Sequence, residues 1–306
     1  MRNLGNLPEA VQAAVPTDEA ACVARLAEIR WGQGAFQCRV CLSTEWSAVA
    51  GRPRVRRCRL CRHHTSVTAG TLLHRSRVDL RVWFLAAALL TRPEGCQSRE
   101  LAECAGIHVQ SAWRILHRLR RATTSGARLL LRGAVTSSGS AIALRRPRGR
   151  HSHKMFRALS DAHGAHVYRA VGLRQVHRIA ARHAPHLEPF SVRMRRDDAA
   201  SAWQGPGRQI RERHHGVSEL WLPHYLAALE FAHNHAGGEV VGAVLRRALV
   251  HRASRFIDLE PPRPPTWLRV REPRPSPGGG IAGAPPRPGQ SDCPAARAAP
   301  GCPAPR

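Results

Sequence analysis

Residues 36–67, FQCRVCLSTEWSAVAGRPRVRRCRLCRHHTSV, decide the fold of the N-terminal part of this chain. They hold two Cys-x-x-Cys pairs, Cys38–Cys41 and Cys58–Cys61, with sixteen residues between them. Each pair presents two sulfurs on one turn, and four thiolates close a tetrahedral shell around Zn²⁺. The spacer has room for a short hairpin. Gly51-Arg52-Pro53 supplies its turn, and Trp46, Val49 and Val55 supply β-compatible flanks. Free buried thiols are the plain alternative. A redox Cys-x-x-Cys fits less well, because two pairs at ribbon spacing are not a thioredoxin-like pattern. A four-thiolate zinc keeps no open coordination position, so the expected metal holds shape and does no chemistry.

Working outward, residues 17–30 read as a helix. Thr17 is its expected cap, Asp18 and Glu19 stand in the first turn, and Cys22, Leu26 and Ile29 share a face. After the ribbon, Ser66–Ser76 reads as a strand end and a loop. Asp79–Thr91, DLRVWFLAAALLT, reads as a largely buried helix that ends near Pro93. A helix-turn-helix pattern follows. Ser98 is the expected cap of a helix over Arg99–Cys104, and Ala105-Gly106-Ile107 makes the turn. Val109–Arg121 forms the second helix, with Val109, Ala112, Ile115, Leu116 and Leu119 inward. That register leaves Gln110, Ser111, Arg114, His117 and Arg118 outward, a polar and basic face suited to a DNA groove. Arg120 and Arg121 complete the expected DNA-contacting set as phosphate contacts. An ordinary helical hairpin with a solvated basic face is the alternative.

Beyond residue 124 the pattern weakens. Residues 127–146 can supply one or two strands. Residues 216–236 read as a helix capped by Ser218, with Leu220, Tyr225, Leu226, Leu229 and Phe231 apolar, and a further helix covers about Gly238–Val250. From Pro261 onward Pro, Gly, Ala and Arg dominate, a composition that predicts disorder.

The 306 residues carry 48 Lys and Arg against 21 Asp and Glu, a formal net charge of +27. Such an excess attracts polyanions, nucleic acid before membrane. Lys154 is the only lysine. Arginine-rich, Ala-, Gly- and Pro-rich composition also follows from GC-rich coding DNA, so part of the charge has that plainer origin. The longest apolar run, Val82–Leu90, is too short to span a bilayer, and no leader is visible after Met1-Arg2, so a cytoplasmic protein is expected. Nine cysteines suit a reducing compartment.

The stretches LAEIRWGQGAFQCRVC (residues 26–41), RRCRLC through LRRA (residues 56–122) and HHGVSELWLPHYLAALEFAHNH (residues 214–235) resemble bacterial insertion-sequence transposases of the ISXO2-like group. The resemblance implies an N-terminal zinc ribbon, a helix-turn-helix and a DDE-type, RNase H-like nuclease domain. It implies double-stranded DNA, the element's terminal repeats, as partner, a nucleoid-associated location, and a homo-oligomer as one possibility. It covers residues 17–122 closely, residues 213–236 fairly, and the interval between them poorly. The expected fold class is α+β and multi-modular: an N-terminal helix and zinc ribbon at 17–76, a helix-turn-helix unit at 77–124, a truncated RNase H-like α/β remnant at 125–255, and a disordered tail at 256–306.

The chemistry of that family needs carboxylates to hold two divalent ions. The first, in a pattern like V-E-V-D-E, aligns here with Val135-Thr136-Ser137-Ser138-Gly139, which has no acid. The last aligns with Ala200 or Ser201, and Gly205-Pro206-Gly207 is expected to break the helix that should present it. Only Asp161, Glu188, Asp197 and Asp198 are acidic between these points. Asp161, Asp197 and Asp198 form the alternative ligand set. The histidines His151, His153, His163, His166 and His177 are too irregularly spaced for a metal motif. The sequence therefore points to a transposase-family DNA-binding protein without intact DDE catalysis, with structural zinc, and with Mg²⁺ only if catalysis survives. An active DDE transposase, a non-enzymatic regulator of the element and an unselected pseudogene product are the open alternatives.

Overall fold

The computed structural model describes residues 4–32, 36–124, 136–145, 151–160, 165–168, 193–194, 206–235 and 239–250. The expected tail, the acids Asp161, Glu188, Asp197 and Asp198, the pair Ala200-Ser201, and His163 and His177 lie outside the described residues.

A short helix α1 (Glu9–Ala13) leads into α2 (Glu19–Trp31). Asp18, not Thr17, caps α2: its Oδ1 accepts from the Ala21 N–H at 2.7 Å. The carboxylate sits where the positive end of the helix dipole is, an advantage that a threonine hydroxyl lacks. The ribbon is a three-stranded antiparallel sheet, β1 (Trp46–Ala48), β2 (Val55–Cys58) and β3 (His64–Ser66), with β2 central. Trp46 faces Cys58 and Val55 faces Ser66 in its register. Gly51 takes φ +67° in the β1–β2 turn, a conformation that glycine adopts without strain.

The helical body is organised on α3 (Leu80–Leu90), in which every residue but Arg81 is buried. Asp79 caps it, its Oδ1 accepting from the Arg81 N–H at 2.8 Å. Around it pack α1, α2, α4 (Ser98–Ala105), α5 (Val109–Thr123) and, from far along the chain, α8 (Val240–Val250). Leu85, Leu89, Leu101, Leu116, Val244 and Leu245 belong to this one core. The Leu72 N–H donates to the Ala248 carbonyl at 3.1 Å, so the loop after the ribbon is also stitched to α8. Packing thus joins segments on both sides of residue 124.

The helical hairpin α4–α5 turns at Gly106, which is left-handed at φ 68°, ψ 37°. Gln97, one residue before the expected Ser98, caps α4, and its N–H donates to the Glu100 carboxylate at 3.4 Å. Val109 begins α5 but is 46% exposed rather than inward.

The remaining strands form a second sheet of order β6-β5-β4-β7, built from β4 (Thr136–Arg145), β5 (His151–Ser160), β6 (Ala165–Tyr168) and β7 (Arg193–Met194). The β4–β5 and β5–β6 pairs are antiparallel and β4–β7 is parallel. Helix α6 (Pro206–His214) starts at the proline, so Pro206 and Gly207 open a helix instead of breaking one. Helix α7 (Leu222–Asn234) starts four residues after Ser218, with Pro223 in its first turn and Trp221 as N-cap, and Leu220 is exposed outside it.

Candidate metal centre and nucleic-acid interface

The four cysteine sulfurs lie within 4.8 Å of one another. Cys38 and Cys61 stand 3.4 Å apart, and Cys41 and Cys58 3.5 Å. A tetrahedral zinc with Zn–S near 2.3 Å requires S···S edges of about 3.8 Å, so the donor set fits the ion in number, type and spread. The Val40 N–H lies 3.5 Å from the Cys38 sulfur. The Cys41 and Val40 amides pull the Cys38 thiol below its ordinary value. The Cys61 amide, with the nearby sulfurs, pulls Cys58 down to about 6. Against the pull of the His63 amide, desolvation and the three neighbouring sulfurs push Cys61 up to about 12. Four sulfurs this close cannot all ionise on their own, and a dication removes that conflict.

Sequence pattern gives the ligands but not how the ribbon is seated. Three arginines do this. Arg30, near the end of α2, donates to the carbonyls of Ser66 at 3.1 Å, Val67, and Ala69 at 2.8 Å. Arg54 pairs with Glu19 and donates to the carbonyls of Ser76 at 3.2 Å and Val78 at 3.3 Å. Arg56 lies over two tryptophan rings, 4.0 Å from Trp46 and 5.2 Å from Trp31. So part of the positive charge is structural mortar. Arg39, Arg52, Arg57, Arg59 and Arg62 remain exposed on the ribbon, with Glu45 as its one exposed carboxylate. Val40, Leu42 and Leu60 at the cysteine turns are 65%, 65% and 73% exposed, a feature that hydrophobic patterning misses.

On α5 the sequence-expected DNA contacts divide. Gln110 and Arg114 are exposed, and Ser111, Arg118 and Arg121 are half-buried. Arg118 donates to the Leu72 carbonyl at 3.4 Å. His117 and Arg120 are each only 2% exposed and do not face outward. Arg120 donates to the Cys96 carbonyl at 2.9 Å and stacks 4.0 Å over Tyr225. His117 packs against Trp113 and Trp221. The partners that draw them inward come from α7 and from the loop before α4. Sequence reading also missed His108, whose Nδ1 accepts from the Gln110 N–H at 3.2 Å and caps α5.

Burial chiefly pushes the Cys22 and Cys96 thiols up to about 12 and raises Cys104. No helix among the described residues is long and apolar enough to cross a membrane.

A helix followed by a three-stranded ribbon with four converging thiols defines a structural zinc-ribbon module. Residues 17–64 match the transposase zinc-ribbon domain. The match begins one residue before the α2 cap and ends in β3, so it takes in the helix whose Arg30 and Trp31 hold the ribbon. No curated protein and no solved structure gives a match to this chain.

Proposed function

We propose that this protein is an insertion-sequence transposase relative that binds the element's terminal DNA and performs no DDE strand chemistry. The observation that carries the reading is the transposase zinc-ribbon match at residues 17–64 falling on four sulfurs placed to hold zinc. In this reading α5 enters the major groove. Gln110, Ser111 and Arg114 reach base edges, and Arg118 and Arg121 reach phosphates. His117 and Arg120 drop out of the contact set because they are buried.

The second sheet supports an RNase H-like remnant. Its first three strands form a meander, and β7 adds in parallel beside β4, the arrangement such a domain would have. The first metal carboxylate would then lie on β4, where the sequence is Thr136-Ser137-Ser138. Neither hydroxyl type supplies the charge that Mg²⁺ requires. A two-metal site stripped of that carboxylate loses the group that offsets repulsion between the ions.

The test is incubation of the zinc-loaded chain with element-end duplex and Mg²⁺ or Mn²⁺, beside an Asp161→Ala, Asp197→Ala, Asp198→Ala variant. Binding without cleavage in both is the expected result. Metal-dependent cleavage by the native chain that the variant lacks would establish a working transposase with those three acids as ligands.

A further inference from the structure

The contact between α5 and the helices α6 and α7 is built from groups that the DNA-binding reading does not use. Trp113 and His117 on α5 are 4.1 Å apart, centroid to centroid. Trp221, at the cap of α7, meets both edge-on at 5.5 Å and 4.5 Å. Tyr225 on α7 lies 5.7 Å from His117 and 4.8 Å from His214, the last residue of α6. His224 adjoins Trp221 at 5.8 Å. His117 and His224 are each 2% exposed. Nδ1 of His117, both ring nitrogens of His224 and one terminal nitrogen of Arg120 have no hydrogen-bond partner. Among the described residues only the four ribbon cysteines bring metal-ligating atoms together in a group of three or more.

The charges that the three rings sense from the described residues have one sign. His117 senses Arg120 and the other two rings, His214 senses Arg120, Arg213 and His215, and His224 senses Arg121 and Arg120. On α4, Glu100 is engaged by Arg92 and Arg213, and Glu103 is exposed. From α8, packed on the other side of α5, Arg246 and Arg247 add only positive charge, and Glu239 before it pairs with Arg25. Glu212 on α6 and Glu219 before α7 are exposed, Glu230 on α7 is half-buried, and each is engaged in interactions of its own. Strands β4 and β6, packed on α6 and α7, contain no Asp or Glu in their sequence. A proton arriving on any of these rings therefore meets desolvation and, beside it, the buried Arg120 guanidinium.

We propose that the α5–α6–α7 contact is a proton-releasable clamp, shut while His117, His214 and His224 are neutral and opened when they are protonated beside Arg120. Burial first, and then the arginines, hold the rings below the ordinary histidine range, at about 2 for His117, about 3 for His214 and about 4 for His224. The sign follows. Above the open-state value near 6.5 neither form takes a proton, and closure is at its most favourable. As pH falls below it, the open form gains protons that the closed form refuses. Each histidine then makes opening about tenfold easier per pH unit, until the closed-state values are reached.

Hydrogen exchange of the full zinc-loaded chain at about pH 7.5 and about pH 5.5, corrected for intrinsic rates, tests this. Peptides from α6 and α7 should lose at least about tenfold in protection at the lower pH while α3 peptides hold theirs. A His224→Leu variant should lose about tenfold less, since it deletes one titrating ring and two unpartnered nitrogens. Unchanged α7 protection in the native chain, or equal loss from α3 and α7, would overturn the clamp whether or not the variant folds. A His224→Leu chain that folds and keeps the full native pH response would also overturn it.

Discussion

The ribbon buries only Phe36, Cys38 and Cys58 as a core of its own, with Trp31, Cys41 and Trp46 leaning on it. Helix α3 alone buries ten residues and gathers five other helices around it. These two regions are held by different physics. A ribbon this small cannot offset its chain entropy by apolar burial and depends on metal for its shape. The helical body depends on packing between segments as far apart as Arg25 and Glu239, 214 residues along the chain, where α2 meets α8. A fold held by a metal is written in four positions; one held by packing is spread over the 35 buried residues of its core.

The largest expected effect separates the two directly. A Cys58→Ser, Cys61→Ser variant should fall from one zinc per chain to none and lose ribbon protection in hydrogen exchange. Structural zinc of this type is worth about 10–16 kcal/mol to a small module. The α3 core should persist, because none of its buried residues is a ligand. Full zinc retention, by elemental analysis, would contradict the four-sulfur site. Acidification should act in the same direction as the variant, since protons compete for the sulfurs that zinc needs ionised.

The converse substitution comes next. Trp83 is fully buried on α3, and its indole N–H donates to the Ser76 hydroxyl at 3.1 Å. Trp83→Ala should cost about 3–5 kcal/mol in denaturant unfolding. Zinc content should stay at one per chain. Loss of zinc together with core stability would mean that the two regions are not separable.

The contrast also explains what could be read from sequence. The ribbon was legible because its ligands are local and their spacing is nearly unique. Helix α3 was legible because its apolar run is continuous and Asp79 marks its start. Other caps slipped by one to three residues, from Thr17 to Asp18, Ser98 to Gln97, and Ser218 to Trp221. In each case several cap-competent residues or a proline compete within one turn. The inward turn of His117 and Arg120 was not legible. Helical periodicity put His117 on the outer face, and Arg120 reads as one of a run of surface arginines. Their partners Trp221, Tyr225 and His224 lie about a hundred residues downstream, and only the packing of α7 on α5 shows them.

Arg120 and Arg114 carry the comparison onto a single helix. Arg120→Ala removes a charged hydrogen bond to Cys96 and a stacked contact with Tyr225, and should lower stability by about 3 kcal/mol. Among chains that remain folded, its ratio of specific to random DNA binding should be unchanged. A shifted ratio at full stability would place Arg120 at the DNA despite its burial.

Arg114, exposed on the outer face of α5, tests the account most directly. The measurement is fluorescence anisotropy of the zinc-loaded chain and of Arg114→Ala, on an element-end duplex and on a random duplex of equal length, across a salt series. The native chain should prefer the element end. Arg114→Ala should lose about 1–3 kcal/mol on that duplex alone, with stability and zinc content unaltered. Equal affinity of the native chain for both duplexes, or an unchanged ratio in Arg114→Ala, would contradict the assignment of α5 as the DNA-reading helix.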